Sequence, residues 1–284
     1  MLEQRLFLDG ISFELLGEQR SGAAVYRGEG AYLRIGEKSA IARDLLQHRL
    51  MEEAQYPVAG IISEGELGHR GYFIEKSLGT RSFRAAFQED CDEHSRISHA
   101  NFNDFLHVIK KLHGAQLKSR AAGWNVQDFA AGVNVTKLSS ELPAYREAVE
   151  GRFMQAVEQL KRLPGALQHG DCNAANTYRG GIIDLEDSFF GPVGYDAVSA
   201  LMSIEWSPET RDHEFYAQYR FTPEQRATYL KTLSVLNAKV KAPPLSTHFD
   251  DLAYCRAIWL CSGMHAWPRL QQWRFEKLIR EYLL

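Results

Sequence analysis

Leu167-Gln168-His169-Gly170-Asp171-Cys172-Asn173-Ala174-Ala175-Asn176, followed by Gly181-Ile182-Ile183-Asp184-Leu185-Glu186-Asp187, is the stretch whose reading decides the fold. An aspartate is followed five residues later by an asparagine and, eight residues after that, by a second aspartate at the end of a short apolar run. The run at 181–183 reads as a buried strand. A loop between two short strands can return Asn176 toward Asp171, and the buried strand then delivers Asp184 to the same point. A lone His-x-Asp is ordinary in loops, where an aspartate caps a turn. His169, Asp171, Asn176 and Asp184 in register with an apolar run are a rarer coincidence.

The residue types fit one chemistry. In phosphoryl transfer from a nucleotide, a loop carboxylate orients the attacking hydroxyl and takes its proton, while an asparagine oxygen and another carboxylate hold the metal that bridges the phosphates. Asp171, Asn176 and Asp184 suit these roles in that order. Magnesium prefers oxygen ligands and keeps several waters, so two protein ligands plus phosphate oxygens suffice.

These segments resemble the aminoglycoside phosphotransferase/choline kinase family, whose members carry His-Gly-Asp, a downstream Asn and an Ile-Asp-x-Glu/Asp segment. The matching residues are His169-Gly170-Asp171, Asn176 and Ile183-Asp184-Leu185-Glu186-Asp187. Gly191-Pro192-Val193-Gly194-Tyr195-Asp196-Ala197-Val198-Ser199-Ala200-Leu201 is similar to the segment that follows in the family, and is closer to the form found in anomeric N-acetylmuramate/N-acetylglucosamine kinases. One departure is Asn173-Ala174-Ala175, where the family often has His-Pro-Gly. Asp196 is expected to tie the loop to a helix that starts near Tyr195.

The resemblance implies an α+β, bilobal protein-kinase-like fold: a small antiparallel β-sheet lobe with one helix over residues 1–78, and a larger, mainly α-helical lobe over 79–284. The sequence between Ile11 and Lys76 fits the small lobe, with β-like runs at Phe13–Leu16, Ala24–Arg27, Tyr32–Ile35, Gly60–Ser63 and Gly71–Glu75 and a helix from about Ser39 to Gln55. The turn holding Ser21 and Gly22 falls between the first two strands, where backbone amides can approach phosphates. Kinase folds place a cation on the third strand and pair it with a carboxylate of the next helix. Arg34 is the only cation on that strand, and in the helix Asp44 lies at about the family's distance before Pro57, with Glu52 and Glu53 as alternatives. Gly71-Tyr72-Phe73-Ile74-Glu75-Lys76-Ser77-Leu78-Gly79 resembles the last strand and hinge, so Glu75 and Ser77 bracket the adenine edge by position.

Beyond the hinge the pattern turns helical: Phe102–His113, then about Tyr195–Glu205, Glu209–Tyr219, Pro223–Ala238, His248–His265 and Gln271–Leu284, with Pro243-Pro244 and Pro268 separating the last ones. His113 reads as a packed structural residue. Glu186, Asp187 and Trp206 head the candidates for holding the acceptor, drawn from a pool that includes Glu205, Asp250, Asp251, Trp259 and Trp267. The formal charge of −3 and the lack of a basic run argue against nucleic acid as a main partner. No apolar run reaches membrane-spanning length and no signal-peptide pattern opens the chain, so a cytoplasmic location is expected. Cysteines at 91, 172, 255 and 261 form no Cys-x-x-Cys.

The expected function is a small-molecule kinase in which ATP, with Mg2+, gives its γ-phosphoryl group to a hydroxyl of a sugar, amino sugar or amino alcohol. Two rival readings stand beside it. One is a metal-dependent hydrolase using His169, Asp171, Asp184 and Asp187 as ligands of a two-metal centre; the other is a kinase-like nucleotide-binding module without turnover.

Overall fold

A computed structural model describes residues 3–18 and 22–284 of the chain. The first strands are β1 (Arg5–Leu8), β2 (Ile11–Glu18), β3 (Ala24–Gly28) and β4 (Ala31–Glu37). Helix α1 (Lys38–Glu53) follows, then β5 (Ile61–Leu67) and β6 (Arg70–Lys76). They form one antiparallel sheet in the order β1-β2-β3-β4-β6-β5. Successive side chains of a strand point to opposite faces, and that alternation assigns the two sides. Leu33, Ile35 and Ile74 join Phe13 and Tyr26 on one face. Phe73, on the other, packs with Ile41 of α1. Arg34, between Leu33 and Ile35, is thereby set on the α1 side. The sheet has one strand more than the five expected, because β1 pairs with β2 through the turn Asp9-Gly10, both at positive φ. Asp-Gly between alternating apolar residues is a hairpin signal.

The large lobe begins with α2 (Phe83–His94), α3 (His99–Lys118), α4 (Val126–Gly132), α5 (Val135–Glu141) and α6 (Arg146–Leu160). Two short hairpins come next: β7 (Gly165–Gln168) pairs with β10 (Phe189–Pro192), and β8 (Thr177–Tyr178) with β9 (Gly181–Ile182). Helices α7 (Tyr195–Met202), α8 (Pro223–Lys239), α9 (Phe249–Cys261) and α10 (Pro268–Leu278) complete it. Apolar residues of α3 recur at helical spacing, and Phe102 and Phe105 pack with Phe83, Phe87 and Phe221 in one ring cluster. Among the described residues no helix is long and apolar enough to cross a membrane.

One expected helix is absent: residues 209–219 form no regular element. Local polar bonds compete there with helix formation. Glu214 instead accepts from the N–H groups of Arg269 (3.2 Å) and Leu270 (3.1 Å) at the start of α10, supplying the cap that α10's own preceding residue does not. Pro268 occupies the first turn of that helix, where a missing N–H costs nothing.

Behind the cleft the two lobes share backbone bonds. The N–H of Ile182 donates to Pro57 O at 2.8 Å, and that of Gly180 to Leu78 O at 3.0 Å. A Cβ on Gly181, whose φ is +153°, would lie 1.9 Å from Pro57 O. Met51 and Tyr56 reach into the large-lobe core, where the Tyr56 hydroxyl donates to Leu167 O at 2.7 Å.

His113 lies at the α3–α8 seam, 1% exposed, with Nε2 2.6 Å from Asn237 Oδ1 and no partner for Nδ1. Burial pushes its pKa below the ordinary 6.5, against the pull of the Asn237 hydrogen bond. The unfolded chain therefore binds the proton more readily, and native stability falls as pH drops through the ordinary imidazole range. Thermal unfolding followed between pH 7.5 and 5.5 should show that loss, and His113→Gln should flatten it; an unchanged slope in the variant would count against this role.

Candidate active site

The loop after β7 is organised by one buried carboxylate. Asp196, in the first turn of α7 and 0% exposed, accepts from His169 N–H at 2.7 Å, Gly170 N–H at 3.1 Å and Gln116 Nε2 at 2.6 Å. Burial pushes its carboxyl above the ordinary value, against the pull of His169 and of these N–H donors. Gly170 sits at φ +85°, and a Cβ there would meet Asp187 O at 1.9 Å, so the turn requires glycine. The His169 ring is fully engaged by backbone: Nδ1 accepts from Asp171 N–H (3.2 Å) and Nε2 lies 2.8 Å from Ile183 O. His169 thus links the loop to the segment that carries Asp184.

Asp171 is held from both sides. Arg256 donates to its Oδ1 at 2.5 Å and Asn173 Nδ2 to the same oxygen at 2.9 Å, while Asn176 Nδ2 reaches Oδ2 at 3.0 Å. The loop closes on itself because Asn173 Oδ1 accepts from the N–H of Ala175 at 2.7 Å. Arg256 is fully buried in α9, donates also to Gly170 O (2.9 Å) and Ser203 Oγ (3.1 Å), and stacks over Trp259 with its Cζ 4.2 Å from the ring. Burial opposes its charge, but Asp171 and the Tyr195 phenol outweigh that and hold the guanidinium above its ordinary value.

From the small lobe, Arg34 NH1 lies 3.8 Å from Asp184 Oδ1, and Arg34 Nε donates to Glu75 Oε1 at 3.3 Å. Burial works against the Arg34 charge, and Glu75 followed by Asp184 overcomes it. Of Asp44 and Glu75, it is Glu75 that bonds Arg34. Asp44 is 6% exposed with Oδ2 unbonded, and it acts on Arg34 only at longer range; burial pushes its carboxyl up, with Arg34 pulling the other way. Glu75 thus enters with its side chain, where by sequence alone it bracketed the hinge by position only. His48 Nδ1 backs its second oxygen at 3.6 Å. Asp184 itself takes φ +68°, a left-handed conformation that aspartate tolerates better than most residues.

Two cavities meet at Asp184. One lies under the sheet, lined by Leu16, Val25, Tyr32, Arg34, Leu78 and Tyr178, with Glu75, Gly79 and Ile183 also on its wall. The other opens between the loop and the large-lobe helices and reaches Asp171, Asn176 and Trp259. Gly22 has a left-handed φ of +80° between β2 and β3, while Ser21 lies outside the described residues. Ser77 N–H donates to Gly30 O at 2.9 Å, and its hydroxyl bonds within the hinge turn to Gly79.

The acceptor candidates divide. Trp259 and Trp267 line the second cavity. Trp206 does not: it is 1% exposed, stacks on Tyr282, and its carbonyl accepts from Arg274. Asp187 lies against Gly170, and neither it nor Glu186 belongs to the lining of that cavity. Glu205 pairs with Arg226 and Asp251 with Arg152. Sequence reading missed Arg256, yet a signal existed: it is the one charge inside the apolar run Leu252–Cys261, and a cation placed there must have a buried partner.

The model of the APH phosphotransferase enzyme family matches residues 13–229. Among solved structures, a gentamicin complex of aminoglycoside phosphotransferase APH(2'')-IIa covers 97% of this chain and 92% of its own, with a TM-score of 0.57 and 10% identity. A thermostable variant of APH(4)-Ia, in ternary complex with ADP and hygromycin B, covers 94% and 93% with a TM-score of 0.56 and 13% identity. APH(3'')-Id from Streptomyces rimosus covers 85% and 92% with a TM-score of 0.53 and 13% identity. At such identity the likeness is one of fold. No curated protein sequence matches the chain.

Asp196→Ala should leave the N–H groups of His169 and Gly170 and the Gln116 amide without an acceptor, at about 1–3 kcal/mol for each buried orphan. The expected outcome is a lower Tm and faster amide hydrogen exchange at residues 169–172; wild-type exchange there would show that the loop is held by something else.

Proposed function

This chain belongs to the APH phosphotransferase enzyme family, and from that premise we propose that it transfers the γ-phosphoryl group of ATP to a hydroxyl of a small molecule, in the class of sugars, amino sugars and amino alcohols. The observation that carries the reading is the meeting of the two cavities at Asp184, with Asp171 on one side and Arg34 on the other.

The residues have a division of labour. Residues 1–78 hold the nucleotide: the adenine lies in the apolar part of the first cavity, bracketed by the hinge at Glu75–Ser77, and Arg34, locked by Glu75, meets the phosphates. A locked guanidinium loses little freedom on binding, and its planar fork suits phosphate oxygens. Residues 79–284 supply the acceptor site and Asp171. Arg256, Asn173 and Asn176 fix the Asp171 carboxylate before any substrate arrives. It orients the hydroxyl and takes its proton as the oxygen bonds to the γ-phosphorus and the bond to the β-phosphate oxygen breaks, releasing ADP.

The donor set fits magnesium. Asn176 uses its Nδ2 on Asp171, which leaves the amide oxygen as its remaining acceptor, and the Asp184 side chain is 32% exposed at the border of both cavities. A hard cation that keeps water and phosphate ligands needs no more protein oxygens than these. Mg2+ held there would neutralise the charge that develops on the phosphates. The two-metal hydrolase reading lacks its imidazole, since both His169 ring nitrogens are taken by backbone groups.

ADP release from MgATP across sugars, N-acetylhexosamines, aminoglycosides and choline-like alcohols tests the proposal. One acceptor should stimulate release, and Asp171→Asn should lower kcat by about a hundredfold or more. Failure to bind MgATP, or stimulated turnover that survives in Asp171→Asn, would sink it. Arg34→Ala should raise the KM for ATP, with Arg34→Lys recovering part of the loss; an equal KM in all three proteins would remove Arg34 from the phosphate site.

A further inference from the structure

The cavity that reaches Asp171 is lined by more cations than carboxylates. Its wall holds the guanidinium groups of Arg84, Arg256 and Arg274 against the carboxylates of Asp171 and Asp184. Both carboxylates already face a cation: Asp171 bonds Arg256 at 2.5 Å, and Asp184 lies 3.8 Å from Arg34. Carboxylates that flank lining residues in the chain are also engaged, Glu205 with Arg226, Glu209 with Arg220, and Glu214 with the start of α10. Arg274 gives its donors to the carbonyls of Trp206 (2.9 Å) and Leu260 (2.7 Å).

Arg84 differs from the other two. It is the second residue of α2, and its backbone N–H donates to Ala174 O at 2.8 Å, which ties it to the catalytic loop. Its guanidinium lies over the Phe215 ring, Cζ 3.8 Å from the centroid, and among the described residues it makes no ion pair and no side-chain hydrogen bond. Burial pushes its pKa below the ordinary value, with only the phenols of Tyr219 and Tyr216 opposing. A half-buried cation without a counter-charge is costly to keep, and an anion brought by a ligand removes that cost.

We infer that the acceptor is itself an anion: a hydroxylated compound bearing a carboxylate or phosphate that pairs with Arg84, its less polar face lying against Phe215, Trp259 and Trp267. This rests on the phosphotransferase reading above and narrows its substrate class. A polycation would meet the unneutralised Arg84 and Arg274 with no free carboxylate to receive its ammonium groups.

The test uses the intact chain saturated with ADP and Mg2+. Uronates, aldonates and sugar phosphates, each beside its neutral parent sugar, and kanamycin as the polycation, are titrated while the intrinsic fluorescence of the five tryptophans, Trp259 and Trp267 among them, is followed; ADP release from MgATP is then measured with the same panel. At least one anionic member should bind about tenfold more tightly than its parent, as expected for a charge-assisted pair. Arg84→Ala should bring that ratio toward one, and Arg84→Lys should restore part of it. The ratio is read on variants whose Tm shows them folded. No anionic member binding better than its parent, tight kanamycin binding, or an anion preference that survives in Arg84→Ala would each overturn the assignment. Anion-selective binding without ADP release would instead sink the phosphotransferase reading and leave the charge assignment standing. A uronate preferred over the sugar phosphate, or the reverse, identifies the anion.

Discussion

Two backbone N–H groups at the head of a loop, those of His169 and Gly170, have no strand to donate to, and the Asp196 carboxylate takes both. Much of the site hangs on that arrangement. It fixes the chain direction into Asp171, leaves the His169 ring free to bridge to Ile183, and thereby sets the distance between the two aspartates. The carboxylate that does this touches no part of either cavity lining. Its burial is tolerable because its oxygens face several donors, and buried polar groups persist where they are satisfied.

At the cleft the polar side chains are arranged as two chains. In the small lobe His48, Glu75, Arg34 and Asp184 follow one another across the cleft. In the large lobe Ser203, Arg256, Asp171 and Asn176 do the same. Each chain begins in the core of its own lobe and ends at the point where the cavities meet. Low local dielectric strengthens such linked bonds and makes each unmatched member costly, so the geometry at the meeting point is set by contacts that lie well behind it.

Much of the architecture was legible from residues 167–187 and from strand alternation, because a fixed chemistry demands a fixed order of residue types. Five strands of the sheet, α1, α3, α8 and the apolar run before Asp184 follow from local pattern. The failures are non-local. Residues 209–219 read as helical, but Glu214 is taken by the N-terminus of α10, fifty-five residues away. Trp206 has the composition of a binding platform, yet Tyr282 and Arg274 from the end of the chain enclose it. Asp44 stands at a plausible distance before Pro57 on the helix, but Glu75 bonds Arg34 because β4 and β6 are neighbours in the sheet, a fact that strand order reveals and sequence order hides. Arg256 joins Asp171 across 85 residues.

The backbone seam behind the cleft has a mechanical meaning. Pro57 is bonded to Ile182 and Leu78 to Gly180, so two backbone bonds join the lobes along one line, in addition to the Arg34–Asp184 pair across the cleft. Translation of one lobe away from the other would tear those bonds, whereas tilting about that line keeps them. A tilt of that kind would change the width of the cleft between Arg34 and Asp184. Helix α1 spans both sides of that line: Ile41 near its start packs against the sheet, and Met51 near its end packs in the large-lobe core. The Gly180–Ile182 segment that leads to Asp184 lies on the line itself, so such a tilt would displace it least.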